Sequence, residues 1–262
     1  MTAVRPWPDP GPLPRPQDLA PGPRLWLVRA PGPGAAPDES VPDESVLDAE
    51  ERRRAAALRR PADRALYVAA HVALRRVLGG CLGVPAARVP LTRLPCPGCG
   101  GPHGRPAVAG PAGAAVHFSL SHTGGLALLG LAARPVGVDV ERVPDIRLVR
   151  DAAGALHPAE QEELAALPEA DRAAAFARCW TRKEAYLKAI GEGLSGDGLR
   201  TAHLGTGSEP AGLPGWLLGD VEVPPGYAAA CALPGQGCTG PQSGVEESSA
   251  SRPAASSVRQ HR

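Results

Sequence analysis

Aromatic side chains are scarce: four Trp, three Tyr and two Phe make up 3% of 262 residues. Any core must therefore rest on Ala, Val and Leu. Net charge is nearly absent, at +1, which excludes a global field for nucleic acid or membrane and leaves only local cationic pockets. No stretch approaches the ~18 consecutive apolar residues of a membrane span. The Pro-rich start lacks the apolar segment of a signal peptide, so a cytoplasmic protein without a membrane partner is expected. Six cysteines are too few for a disulfide framework in a chain this long, and reduced thiols fit that compartment.

Glycine and proline are abundant, with 32 and 31 residues, and unevenly placed. Prolines recur from Pro6 to Pro16 and at Pro21 and Pro23; such a segment favours polyproline II, so residues 1–23 are expected to form a disordered arm. Arg24 to Ala30 alternates as a strand. Residues 37–46 repeat PDESV in tandem as an acidic loop. Residues 48–60 favour helix, and a second helix is expected from an Asp63 cap to Leu78, stopping at Gly79-Gly80. Residues 88–113 read as loop. Ala115–Leu120, Leu126–Ala132 and Val136–Glu141 read as strands, the first two joined through Ser121 to Gly125. Pro158 opens a helix to about Leu167. Asp171 caps another ending at Gly191, with Phe176, Trp180, Leu187 and Ile190 on one buried stripe. Val221–Val223 and Tyr227–Leu233 read as closing strands, and residues 239–262 lack large apolar side chains and read as disordered.

Two stretches carry chemistry. In Gly137-Val138-Asp139-Val140-Glu141, residues two apart share a strand face, so Asp139 and Glu141 stand together while the valines face the core. In Trp180-Thr181-Arg182-Lys183-Glu184-Ala185-Tyr186-Leu187-Lys188, a third carboxylate sits beside two lysines on a helix. Three oxygen ligands suit Mg²⁺, which also keeps waters and substrate phosphate oxygens, and ammonium groups there can neutralise charge on a transferred phosphoryl group. The same residues also fit an exposed Glu184–Lys188 helix pair and two solvated strand-end charges.

Taken together, these motifs resemble the 4′-phosphopantetheinyl transferase superfamily of the surfactin-synthetase-activating (Sfp) type, which carries G-[IV]-D-[IV]-E followed by W-x-x-K-E-[AS]-x-x-K. Phe118-Ser119-Leu120-Ser121-His122 is similar to the family's N-[IVL]-S-H element, with Ser119 in place of Asn, and Gly104-Arg105-Pro106 to its G-[KR]-P turn. The resemblance runs from about Arg24 to Leu233. It implies transfer of the phosphopantetheine arm of coenzyme A to a serine of apo acyl or peptidyl carrier proteins, releasing 3′,5′-ADP. It implies Mg²⁺ at Asp139, Glu141 and Glu184, phosphate contacts from Lys188 and Lys183, and nucleotide contacts from Ser121 and His122. Arg105 would hold the 3′-phosphate, and Glu160 or Glu184 would act as general base. Arg59, Arg60 and Arg64 are candidates for further grip on coenzyme A, Arg64 first among them.

The implied fold is α+β, with two similar lobes, each a small antiparallel sheet against helices, and the site between them. The expected bounds are 24–134 and 135–238, in a monomer serving polyketide or nonribosomal peptide synthesis. A shallow apolar surface around Leu194 to Leu199 would meet the carrier. Cys96, Cys99 and His103 supply three of the four ligands of a structural zinc site that would position Arg105; a Gly-rich loop with free thiols is the favoured reading of the same residues. Two other readings are a non-catalytic relic that binds coenzyme A or a carrier, and an unrelated metal-dependent phosphohydrolase. Intact Asp139, Glu141, Glu184 and Lys188 argue against the first, and the lack of His-Asp clusters against the second.

Overall fold

A computed structural model describes residues 2–9, 11–20, 22–30, 42–102, 104–192 and 198–235. The fold is α+β, built on two main sheets. The first has the order β1-β2-β6-β5, from Arg5–Trp7 (β1), Arg24–Arg29 (β2), His117–Thr123 (β5) and Leu126–Ala132 (β6). Its neighbours are antiparallel except β1, which runs parallel to β2. Leu91–Arg93 (β3) and Pro106–Val108 (β4) form a separate hairpin. The second main sheet has the order β7-β9-β8, all antiparallel, from Gly137–Arg142 (β7), Trp216–Asp220 (β8) and Tyr227–Pro234 (β9).

Six helices are described: Ala49–Ala57 (α1), Pro61–Leu82 (α2), Ile146–Ala152 (α3), Pro158–Ala166 (α4), Glu169–Ile190 (α5) and Gly198–Thr201 (α6). Asp48 caps α1 in a capping box with Glu51, which satisfies two otherwise orphaned donors. Helix α2 covers the first sheet, where Leu74, Val77 and Leu78 meet Trp26, Leu129 and Leu131. By length and composition α2 could cross a membrane, yet 72% of its most apolar window is buried inside this protein. It does not stop at Gly79-Gly80 but runs to an αL cap at Gly83. Those two glycines serve close approach instead: a Cβ on Gly79 would lie 2.8 Å from the Val84 carbonyl oxygen, and one on Gly80 would lie 2.4 Å from Leu13.

The Pro-rich arm is not disordered over its described residues. Trp7 and Leu13 pack on the first core, and Leu19 is buried within it. Asp9 accepts a hydrogen bond from the Trp26 indole at 3.1 Å. Prolines that cannot donate to a ladder confine β1 to the sheet edge. The 239–262 tail, Cys238, part of the PDESV repeat and most of Leu194–Leu199 lie outside the described residues.

The two sheets share a core: Leu25, Leu128 and Ala132 of the first meet Val138, Val140, Ala229 and Cys231 of the second. On the other face of β7, α5 packs through small residues, Ala185 and Ala189 meeting Ala230 and Ala232. Gly137 permits this approach, since a Cβ there would lie 1.9 Å from the Ala185 carbonyl oxygen. Helix α5 therefore lies against the strand face that carries Asp139 and Glu141. The expected stripe is modified. Phe176 and Leu187 are buried, but Trp180 and Ile190 are only partly covered, and Trp180 stacks on Phe176 at 5.6 Å between ring centroids. Its role is packing.

Candidate active site

Strand β5 ends the first sheet and β7 ends the second, and the two edges meet. Ser121 and His122 lie within β5 rather than in the turn after it. Ser121 Oγ donates to Asp139 Oδ1 at 2.7 Å. Lys188 Nζ donates to the same carboxylate oxygen and, at 3.2 Å, to Ser121 Oγ. Helix phase explains the lysine: Glu184 and Lys188 are one turn apart and share a face.

Asp139 and Glu184 are buried, at 1% and 8% exposure, and Glu141 is half-buried. Burial, with only partial relief from Lys188 and further repulsion from Asp139 and Glu141, pushes the Glu184 carboxyl up to about 7. Burial and Asp139 also raise Glu141, against a hydrogen bond from the Thr123 side chain. Three carboxylates share one local field with one ammonium, and that deficit of positive charge is what a bound cation relieves.

The donor set fits a hard divalent cation. Every ligand atom is a carboxylate oxygen, and Asp139 Oδ2 is buried without a hydrogen-bond partner, a costly state for a charged group. Among the described residues no three His, Cys, Asp or Glu side chains are grouped closely enough to close a metal site alone. Mg²⁺ does not need that, because it is usually held by one or two carboxylates plus waters and substrate phosphates.

Beside the carboxylates opens a cavity of about 750 Å³. Lys188, His122, Arg105, Arg93, His71 and Arg54 line it, together with the acidic Asp48, Glu50, Glu51 and Glu192 and the apolar Leu74, Leu91, Phe118 and Leu120. Arg105 donates to the Ala189 carbonyl oxygen at 3.1 Å, which fastens it to the end of α5. Burial, then His71 and Lys188, lower the His122 pKa, which favours its neutral imidazole. Arg54 pairs with Glu50 at 2.8 Å, and His71 is held by a buried hub: the Arg75 guanidinium, 1% exposed, pairs with both Glu51 and Asp48, and Glu51 pairs with His71 Nδ1 at 3.0 Å.

The structure brings Ser121, Asp139, Glu141, Glu184 and Lys188 together, with His122 and Arg105 in the adjoining wall. It does not bring Glu160, Lys183 or Arg64 there. Lys183 and Glu160 form a fully buried ion pair at 2.8 Å. Lys183 also donates to the Leu199 and Ala202 carbonyl oxygens, and Glu160 accepts from the backbone N–H groups of Leu204 and Gly205. These bonds tie α4, α5 and the segment after α6. Lys183 stands next to Glu184 in sequence but about 100° around the helix, on a different face. Arg64 is exposed and pairs with Glu44, and neither it, Arg59 nor Arg60 lines the cavity. Arg54, Arg93 and His71 take that place, and nothing in their sequence spacing separates them from solvated helix charges.

Cys96 and Cys99 form a tight knuckle. Cys96 N–H donates to Gly101 O and Gly100 N–H to Cys96 O, both at 2.8 Å, and Gly101 N–H approaches Cys99 Sγ at 3.4 Å. Hydrogen bonds from the Cys99 and Gly98 backbone lower the Cys96 thiol pKa. The third expected ligand, His103, lies outside the described residues.

A family model described as the 4′-phosphopantetheinyl transferase superfamily matches residues 135–230, the part that holds all three carboxylates and Lys188. The 4′-phosphopantetheinyl transferase HetI of Nostoc sp. is 32% identical over 221 residues, 81% of this chain and 88% of its own length. The protein slr0495 of Synechocystis sp. is 29% identical over 181 residues, 68% of each chain. The 4′-phosphopantetheinyl transferase Sfp of Bacillus subtilis is 30% identical over 79 residues, 30% of this chain and 35% of its own. With the family model and a relative similar over most of both chains in agreement, this chain belongs to the 4′-phosphopantetheinyl transferase superfamily.

Proposed function

We propose that the protein transfers the phosphopantetheine arm of coenzyme A to a serine of an apo carrier protein, with Mg²⁺ bound by Asp139, Glu141 and Glu184. The observation that carries this reading is the buried, unpartnered Asp139 Oδ2, bonded through its other oxygen to Lys188, which lines the adjoining cavity with Arg54, Arg93 and Arg105. Bound there, Mg²⁺ would neutralise pyrophosphate charge and polarise the phosphoryl oxygens.

The chain's own groups supply the rest. Lys188, Arg105, Arg93 and Arg54 hold the phosphates of coenzyme A in the cavity, and its apolar side chains take the less polar parts. Glu184, on the α5 face that also carries Lys188, accepts the proton of the incoming carrier serine, directly or through a water. Glu160 is locked to Lys183 and sealed from the cavity, which leaves Glu184 as the base. The serine oxygen then bonds to the phosphorus of the arm as the bond to 3′,5′-ADP breaks. Lys188 counters the charge that grows on the leaving oxygen.

A division near residues 134–135 is proposed with this function. The cavity residues Arg54, His71, Arg93, Arg105 and His122 precede it, whereas Asp139, Glu141, Glu184 and Lys188 follow it. A monomer in the cytoplasm that activates polyketide or nonribosomal peptide carrier domains is the setting that chain length and the resemblance support. A structural zinc at Cys96, Cys99 and His103 is part of the proposal and is read by elemental analysis of chelator-free protein. The transfer is tested by chromatography of 3′,5′-ADP released from coenzyme A in the presence of an apo carrier. Release that needs both carrier and Mg²⁺ supports the reading; none with several unrelated carriers overturns it.

A further inference from the structure

The β5–β7 seam contains a residue the chemistry above does not use. Ser119 is buried, at 8% exposure, and its Oγ accepts the Val138 backbone N–H at 3.1 Å. Val138 immediately precedes Asp139. β7 is an edge strand of its own sheet and β5 an edge strand of the other, so no ladder joins them. Side chains make the joint. Ser119 takes a backbone donor of β7, and two residues along the same face of β5 Ser121 takes the Asp139 carboxylate. Farther along, Tyr227 Oη donates to the Gly124 carbonyl oxygen at 2.6 Å. Ser119 stands where the family element has Asn, and a hydroxyl is a sufficient acceptor for one N–H.

We infer that Ser119 is a positioning residue for the cation site: by holding the Val138 N–H it fixes the strand that presents Asp139 Oδ2 to the metal. Without its hydroxyl the Val138 N–H is stranded in a buried seam, and β7 regains an unmade bond only by shifting toward water. A shift at residue 138 carries Asp139 with it. The carboxylate then leaves the geometry set by Ser121 and Lys188, and cation affinity falls. This inference rests on the proposed metal role of Asp139 and adds the residue that holds it in place.

The test measures cation binding without any carrier or coenzyme A. Mn²⁺, which also favours carboxylate oxygens, is titrated into full-length protein and its free signal read by electron paramagnetic resonance. Ser119→Ala is expected to weaken Mn²⁺ about tenfold, which corresponds to about 1.4 kcal/mol and lies within the cost of stranding a buried donor. Ser119→Thr keeps an acceptor and is expected to restore affinity to within about twofold. Tyr227→Phe removes a hydrogen bond from the same seam away from Asp139, lowers stability and leaves Mn²⁺ binding unchanged. Wild-type affinity in Ser119→Ala overturns the inference, as does an equal loss in Tyr227→Phe or no Mn²⁺ binding by the wild type. If the wild type binds Mn²⁺, Ser119→Ala weakens it and no phosphopantetheine is transferred, the proposed function fails while the positioning role stands.

Discussion

Replacing Glu184 by Gln should stabilise the metal-free protein. The carboxyl is lifted from an ordinary 4.5 to about 7 by burial and by its acidic neighbours. An acid raised in the folded state carries no cost at low pH, where both folded and unfolded chains are protonated. As pH rises past 4.5 the unfolded chain ionises first and folding loses free energy, until the folded group also ionises near 7 and the loss levels off. The displacement is worth about 3 kcal/mol, at about 1.4 kcal/mol per tenfold change in the proton equilibrium. Gln keeps the shape of the side chain and removes the charge, and Lys188 keeps its bond to Asp139 in both proteins. Urea denaturation with a chelator present is the assay. Glu184→Gln should be more stable than wild type by about 3 kcal/mol at about pH 8 and equal to it at about pH 4. Mg²⁺ should raise the wild-type midpoint at pH 8 and leave that of the variant nearly unchanged. A variant less stable than wild type at pH 8 would refute the claim that these carboxylates are held in electrostatic tension.

The Glu160–Lys183 pair makes a contrasting case. Lys183→Met or Glu160→Gln should each cost about 3–5 kcal/mol in urea midpoints by leaving a buried charge uncompensated, and the double variant should recover part of it. Unchanged stability in either single variant would return these residues to the list of catalytic candidates. His122, whose pKa burial and Lys188 lower, should take up a proton when 3′,5′-ADP binds beside it, so affinity should weaken as pH rises through neutrality. Calorimetry in buffers of different ionisation heat should show that uptake in wild type and not in His122→Asn; no uptake in wild type contradicts a phosphate contact.

The sequence revealed chemistry better than it revealed neighbours. Asp139 and Glu141 were legible because a strand has period two, and Glu184 with Lys188 because a helix turn brings residues four apart onto one face. Lys183 was misplaced because adjacent residues of a helix are about 100° apart around it and face different surroundings; its partner Glu160 comes from another helix, which no local pattern announces. Arg54 and His71 were missed for a similar reason. Their placement depends on the buried Arg75 hub linking α1 to α2, a contact between residues 24 and 27 positions apart. The Pro-rich arm was misread because composition reports what a segment does alone, while Trp7, Leu13 and Leu19 are ordered by the core they join. Gly79 and Gly80 carry the same lesson: glycine ends helices, and it also lets a loop or another chain segment touch one.

The central claim is that Asp139, Glu141 and Glu184 with Lys188 perform phosphopantetheine transfer. Its most direct test is the intact mass of an apo carrier domain after incubation with the protein, coenzyme A and Mg²⁺, run beside a folded Asp139→Ala variant. The expected result is one phosphopantetheine arm added by wild type and none by the variant. An unmodified carrier with wild type, or equal modification by Asp139→Ala, would contradict it.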